Sequence, residues 1–193
     1  MASATDIRRR MRSRRRALTP QWHRRMSDRL CTRLVTSPDY LKAHDVAAYL
    51  AFGGEPDLAP LMHHATSHGK RIYLPVLTQD RRMIFREWTP DVVMEINRFG
   101  IAEPQRGGRE RDGQHLDLVL TPLVAFDAAG NRIGMGAGFY DRTFAFRRMR
   151  QHWTGPRLVG VAWAFQEQDR IESMPWDVPL DAVISEQGWT RPE

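Results

Sequence analysis

Three glycines at alternate positions, Gly134, Gly136 and Gly138, follow a long apolar run and lead into Phe139-Tyr140-Asp141-Arg142. Glycine has no Cβ to block a ligand and tolerates positive φ, so such a loop can bring its backbone close to an anion. Successive N–H groups at the start of a helix form a cradle for phosphate. Asp141 falls in the first helical turn, where a carboxylate can hold a Mg²⁺ that bridges the same phosphates, since Mg²⁺ takes one or two carboxylates beside phosphate oxygens and water. The same residues would also serve as a turn that packs a helix against a sheet. The spacing is not that of the P-loop, which needs a Lys-Ser/Thr pair, nor of the GxGxxG turn, whose third glycine falls one residue later. A phosphate site outside both common fingerprints, or a packing turn, are the two readings.

Charge is the second chemical signal. Residues 1–38 carry eleven arginines against Asp6 and Asp28, a net +9, so the other 155 residues hold −3 of the overall +6. Seven of the nine residues from 8 to 16 are arginine. Such a block is a solvated face or an anion-binding arm. Nucleic acid is one candidate, but no basic stripe continues beyond the arm, which favours a compact polyanion.

Other residues carry weaker signals. Glu55 follows Gly53-Gly54 at the end of an apolar run, where α/β folds place ligand contacts, although an ordinary polar turn residue would read the same way. Asp177 and Asp181 flank Val178-Pro179-Leu180. His64 and His68, at i and i+4, share a helix face beside His63, without a Glu or Cys at zinc spacing, and the three read as a solvated face. Cys31, the only cysteine, lies on an apolar stripe with Leu30 and Leu34 and reads as core. No nucleophile–base–acid triad is visible.

Elements must position these groups. Residues 6–17 read as a first, basic helix. Thr19-Pro20 caps a second, whose apolar positions Trp22, Met26, Leu30 and Leu34 recur every fourth residue up to Ser37-Pro38. Residues 46–52, 72–77, 83–88, 116–126, 158–165 and 182–185 read as strands, the run 116–126 as one strand buried on both faces. Asp57 caps a helix over 58–68 that Gly69 ends, residues 103–115 read as a loop, and 140–150 as a helix. The alternation implies a single α/β domain over 1–193. It is expected to be a three-layer, Rossmann-like sandwich with a mostly parallel, mixed central sheet, preceded by the basic helix. With 41% hydrophobic residues and no apolar run near the roughly 18 needed to span a bilayer, the expected compartment is the cytoplasm.

The run LTPLVAFDAAGNRIGMGAGFYDRTFA resembles the signature of 5-formyltetrahydrofolate cyclo-ligases, a Pro-x-x-x-Phe-Asp-x-x-Gly-x-Arg-Leu-Gly-x-Gly-x-Gly-Tyr-Tyr-Asp-Arg stretch. IRRRMRSRRRALTP, VAAYLAFGGEPDLAPL, GKRIYLPVL and MPWDVPLDAVISE resemble further blocks of that family, in family order. The resemblance implies ATP- and Mg²⁺-dependent cyclisation of 5-formyltetrahydrofolate to 5,10-methenyltetrahydrofolate, with release of ADP and phosphate. It implies ATP contacts from Arg8 and from Arg132, Ile133, Gly134, Met135, Gly136, Ala137, Gly138, Phe139 and Tyr140. It implies folate contacts from Leu50 and Glu55 and from Met135, Gly136, Ala137, Gly138 and Phe139. Mg²⁺ falls to Asp141 and Asp177, and alignment of the reacting groups to Arg132, Gly136 and Tyr140. Asp181 reads as a residue that caps or tethers the last strand. The chain departs from the pattern at Ala4, where the family places a basic residue, usually Lys. Either Arg12 works with Arg8, or that Lys has no equivalent, and most of the seven arginines of the run read as solvated. Trp176 also stands where many members have His. The implied partners are ATP and 5-formyltetrahydrofolate, polyglutamylated or not, with no specific nucleic acid and no membrane, acting on a monomer. Because the formyl oxygen and N10 both belong to the substrate, such a protein supplies alignment and charge rather than a triad.

Overall fold

The structure, a computed structural model, describes residues 3–78, 82–97, 100–149 and 155–192. The first three helices are α1 (Ala4–Arg16), α2 (Pro20–Val35) and α3 (Pro38–Lys42). Each starts where a hydroxyl takes up a free amide: Ser3, Thr19 and Ser37 accept from the N–H of Asp6, Trp22 and Tyr40 at 3.1, 3.2 and 3.2 Å. Pro20 and Pro38, which have no N–H to satisfy, occupy the first helical positions. Strand β1 (Asp45–Ala47), helix α4 (Ala59–Ser67) and strands β2 (Arg71–Leu77) and β3 (Met83–Trp88) follow. The short strands β4 (Met94–Ile96), β5 (Ala102–Pro104) and β6 (Glu110–Arg111) come next, then β7 (Leu118–Pro122), β8 (Ala125–Phe126) and β9 (Arg132–Ile133). Helix α5 (Phe139–Thr143), β10 (Arg157–Val161), β11 (Ala182–Ile184) and β12 (Trp189–Thr190) complete the chain.

Eight strands form the main sheet in the order β12-β11-β10-β7-β1-β2-β3-β6. The five from β11 to β2 are parallel, with antiparallel strands at both margins. Pleating sorts the apolar residues by parity. Val46, Ile72, Leu118, Val159 and Ala182 face α2, α3 and α4, where Leu30, Leu34, Tyr40 and Leu61 meet them. Ala47, Tyr73, Val119, Leu158 and Val183 face the opposite layer, built from Phe144, Val178 and Leu180 around α5. Helix α1 stands apart from both and packs Ile7 and Met11 on Val124, Ala125 and Ile133. The three-layer α/β reading and its mostly parallel, mixed sheet therefore hold.

The chain runs from β1 to β2 on one side of β1 and to β7, β10 and β11 on the other. The loops leaving the carboxyl ends of β1 and β7 thus diverge at a topological switch point, where open α/β sheets form their ligand crevice.

Several boundaries differ from the expectations. The apolar run 116–126 is two strands, because the chain turns at Leu123 and Val124, whose carbonyls accept from the buried Gln166 amide at 2.9 Å each. The strand expected over 46–52 ends at Ala47. Beyond it the Tyr49 hydroxyl donates to the Pro56 carbonyl at 3.0 Å and the segment curls back. The strand expected over 158–165 ends at Val161 and gives way to a 3-10 turn at Ala164–Gln166. The helix expected over 140–150 changes at Phe144, a fully buried side chain, from α5 to a 3-10 turn at Ala145–Met149. The loop expected over 103–115 contains β6 and a 3-10 turn at Gly113–His115. On α4, the Tyr40 hydroxyl lies 2.9 Å from His64 Nδ1, and the His64 and His68 rings stack at 4.0 Å.

Candidate functional site

Two of the sequence-predicted motifs leave adjacent strand ends at the switch point. Leu50 and Glu55 follow β1, and the glycine loop follows the β8–β9 hairpin that continues β7. Asp127 shapes that hairpin. It is buried, and its carboxylate accepts from the N–H of Ala129, Asn131 and Ile171 and from the Asn131 side chain, at 2.8–3.1 Å. The sequence predicts a turn here, and the carboxylate also ties that turn to residue 171.

Beyond the hairpin, Arg8 Nε donates to the Gly134 carbonyl at 2.8 Å. Gly136 has φ +102°, a conformation that L side chains rarely adopt, and faces the Arg8 guanidinium. Arg132, Gly134, Gly136, Ala137 and Gly138 line a cleft of about 500 Å³, together with Arg8, Asp141 and Asp177. Ile133 lines it as well, and Ala4, at the expected Lys position, sits at its edge without a charge.

Asp141 is fixed rather than free. Its Oδ1 accepts from Arg132 Nη2 at 2.6 Å and from the Val178 N–H at 3.2 Å. Arg132 Nη1 also donates to the Val178 carbonyl. One arginine and one carboxylate thereby tie the glycine loop to the segment that carries Asp177. Asp177 Oδ2 accepts from the Met174 N–H at 2.8 Å, closing a turn that presents Trp176, 57% exposed, at the cleft mouth. Among the described residues, no hydrogen bond is made to Asp141 Oδ2 or Asp177 Oδ1. A hard cation that also keeps water and phosphate ligands suits two such carboxylates.

Not every predicted contact lines this cleft. Met135 is half exposed, with Arg12 Nη2 3.7 Å from its sulfur, and Leu50 packs against the larger core. Phe139 and Tyr140 pack inward beside the second core. The Tyr140 hydroxyl is buried and makes no hydrogen bond among the described residues. Burial and the nearby Glu55 charge push its pKa up, against the opposing effect of Arg132.

Glu55 belongs to a second, adjoining group. It is only 8% exposed, its Oε1 lies 3.3 Å from Arg15 Nη1, and its Oε2 accepts from the Phe52 N–H at 3.2 Å. Burial raises its pKa, and Arg15 and the Phe52 N–H oppose the rise. The ring of His23 lies 2.7 Å from the Glu55 carbonyl, and buried Trp163 donates from Nε1 to the Gly54 carbonyl at 2.8 Å. Trp22 and Trp163 meet edge to face at 5.0 Å. Arg15, His23 and Trp163 were not singled out from the sequence.

Arg9, Arg10, Arg14 and Arg16 are exposed, so most of the run is solvated as expected, and Arg15 is the exception. Arg15 is buried, Arg10 reaches the Gln168 side chain, and Arg14 lies over the Phe165 ring at 4.4 Å. A signal for Arg15 was present: Ile7, Met11 and Arg15 recur at fourth positions, so Arg15 continues the apolar stripe of α1. Asp181 holds Arg147 through both oxygens, at 2.7 and 2.9 Å, and accepts from the Leu158 N–H at 2.7 Å, which tethers β10 to the segment before β11.

The sequence model of the 5-formyltetrahydrofolate cyclo-ligase family matches residues 1–186. The 5-formyltetrahydrofolate cyclo-ligase of Escherichia coli K12 is 40% identical over 181 residues, covering 91% of this chain and 96% of its own. That of Haemophilus influenzae is 38% identical over 149 residues, covering 74% and 76%. Among solved structures, the 5,10-methenyltetrahydrofolate synthetase of Aquifex aeolicus superposes with a TM-score of 0.83 at 29% identity, covering 97% of this chain and 92% of its own.

Proposed function

The chain belongs to the 5-formyltetrahydrofolate cyclo-ligase family, and from that premise and the build of its cleft we infer that it closes 5-formyltetrahydrofolate to 5,10-methenyltetrahydrofolate at the expense of ATP. One observation carries the reading. Helix α1 touches both halves of the site, Arg8 on the glycine loop and Arg15 on Glu55, about 10 Å apart at helical rise. A nucleotide on one side and a folate on the other would therefore meet over that loop.

The formyl oxygen is an amide oxygen and a poor leaving group. Transfer of the γ-phosphoryl group of ATP to it makes phosphate the leaving group. N10 then attacks the formyl carbon, the carbon–oxygen bond breaks, and the ring closes with loss of the N10 proton. The chain's residues align and neutralise. The N–H groups of the glycine loop and the Arg8 guanidinium cradle the phosphates. Glu55 accepts from the row of donors on the amino-pyrimidine edge of the pterin, and Tyr140 offers a buried hydroxyl beside it. Asp141 and Asp177 would hold Mg²⁺, which supplies charge to the transferring phosphoryl group.

The inward bonds of Arg8 and Arg15, one on each half of the site, support a compact polyanion, not a nucleic acid, as the partner of the basic helix. Among the described residues no helix is long and apolar enough to cross a membrane. We take the enzyme as a cytoplasmic monomer, the compartment resting on its single, buried thiol. The test is the ATP-dependent rise of the methenyl-folate chromophore on adding 5-formyltetrahydrofolate. No rise with ATP and Mg²⁺ present would overturn the reading.

A further inference from the structure

Arg15 is the only arginine between residues 8 and 16 that the fold buries, at 3% exposure. Its backbone is pressed against the turn that precedes Glu55: a Cβ on Gly54 would lie 2.9 Å from the Arg15 carbonyl oxygen. Gly54 therefore permits the approach of α1, and Arg15 Nη1 then reaches Glu55 Oε1 at 3.3 Å. The backbone around Glu55 is pinned independently, by Trp163 on the Gly54 carbonyl and by His23 on the Glu55 carbonyl. The turn thus has other anchors, and the ion pair fixes mainly the carboxylate.

Stability alone is a poor reason for such a pair. Desolvating two charges offsets most of their attraction, and an apolar pair of the same volume often does as well or better. Arg15 Nε, moreover, is buried without a hydrogen-bond partner among the described residues. We propose that Arg15 is a positioning residue that keeps the Glu55 carboxylate ionised and aimed at the pterin's donor edge. This rests on the reading of Glu55 as the folate carboxylate.

The groups around that carboxylate agree. From α1 comes Arg15, from α2 His23, from the segment after β1 Tyr49, and from α5 Tyr140. Tyr49 and Tyr140 are buried with their pKa values pushed up, so both stay neutral, and His23 bonds the Glu55 carbonyl rather than its carboxylate. Burial lifts the Glu55 pKa and Arg15 opposes it. Without the guanidinium, Glu55 would protonate at a higher pH and lose the acceptor that the pterin needs.

The test compares Arg15→Met, Arg15→Lys and Glu55→Gln in the full-length enzyme. Arg15→Met is expected to raise the KM for 5-formyltetrahydrofolate about 10- to 100-fold at neutral pH, as for a lost charge-assisted bond, with kcat largely kept. The acid limb of its kcat/KM profile should move up by about one to three pH units, and Arg15→Lys should restore it. Arg15→Met should add nothing to the KM of Glu55→Gln. If Arg15→Met does not fold, the Arg15→Met/Glu55→Gln double variant, which leaves no unpaired charge, takes its place in that comparison, and Arg15→Lys carries the pH profile. In parallel, the carboxyl ¹³C resonance of Glu55, assigned by its loss in Glu55→Gln, gives the midpoint directly. An unmoved midpoint in Arg15→Met, or with that variant unfolded an acid limb in Arg15→Lys displaced as far as one to three units, would overturn the proposal. A moved midpoint with unchanged KM in Glu55→Gln would instead overturn the reading of Glu55 as the folate carboxylate.

Discussion

Arg132 and Asp141, nine residues apart in the chain, lie 2.6 Å apart across the glycine loop, and the same Asp141 oxygen also accepts from the Val178 N–H. The loop is thus a span clamped at both ends, by Asp127 below and by the Arg132–Asp141 pair above. The clamp extends to residue 178, next to Asp177, so one ion pair sets the relation between the two carboxylates assigned to the metal. A geometry held by the chain's own bonds favours a site that stabilises charge with little reorganisation.

Asp141→Asn and Asp177→Asn should each lower turnover strongly while the fold survives, because the Asn carbonyl can still accept the bonds that Oδ1 and Oδ2 now take. Both should raise the Mg²⁺ concentration needed for half-maximal rate. The double variant should be little worse than the worse single one, since both substitutions damage one site. Steady-state rates across a Mg²⁺ series check this, and near wild-type rates in Asp141→Asn would remove it from the metal site.

Gly134 and Gly136 separate ligand space from backbone strain. Among the described residues, a Cβ on Gly134 meets nothing within 4 Å, and its φ is ordinary. Gly134→Ala should therefore shift stability by no more than about 0.5 kcal/mol, while the methyl group intrudes where phosphates approach and raises the KM for ATP. Gly136→Val should lose both, since at φ +102° a branched residue costs about 1–3 kcal/mol. Thermal melting beside calorimetric titration with an ATP analogue distinguishes the two. Unchanged nucleotide binding in Gly134→Ala would make this part of the loop a packing turn.

What the sequence made legible and what it did not divide along a physical line. Signals of short range were readable: Thr19-Pro20 and Ser37-Pro38 as helix starts, and glycines 134, 136 and 138 as a loop before a helix. Partners from far along the chain were not. Nothing near residue 123 announces that Gln166 will take its carbonyl and break the strand. Likewise, seven arginines in nine positions look alike until Glu55, forty residues on, chooses Arg15. The stripe of Ile7 and Met11 held that information, but an arginine on an apolar stripe is read by its charge before its position.

Cys31 offers a probe of the α2–α4 packing. It is buried, with its thiol 3.4 Å from the Asp57 carbonyl, and burial pushes its pKa up to about 12. The thiol thus stays neutral across the working pH range and should not react with a disulfide reagent at pH 8 in the native state, since the thiolate is the nucleophile. Labelling should follow global unfolding in urea and match the transition seen by circular dichroism. Fast labelling without denaturant would show that α2 opens locally.

The last prediction sets the basic helix against nucleic acid. Arg8 and Arg9 are neighbours of equal charge with different surroundings. Arg8 lies on the Gly134 carbonyl and lines the cleft, whereas the Arg9 side chain is 80% exposed and pairs with Asp6, one turn away. If the arm acts as a diffuse field, Arg8→Ala and Arg9→Ala should raise the KM for ATP alike. If Arg8 touches the phosphates, its loss should cost about 10-fold or more, as for a charged hydrogen bond, and Arg9→Ala almost nothing. A duplex-binding arm with six or more phosphate contacts would lose roughly 10³-fold in affinity between 50 and 200 mM salt. Arg8 and Arg15 turn toward the site rather than outward, and no basic stripe continues beyond the arm, so any binding to DNA should be weak and indifferent to sequence. Equal kinetic effects in the two variants, with tight duplex binding at physiological salt, would return the helix to the nucleic-acid reading.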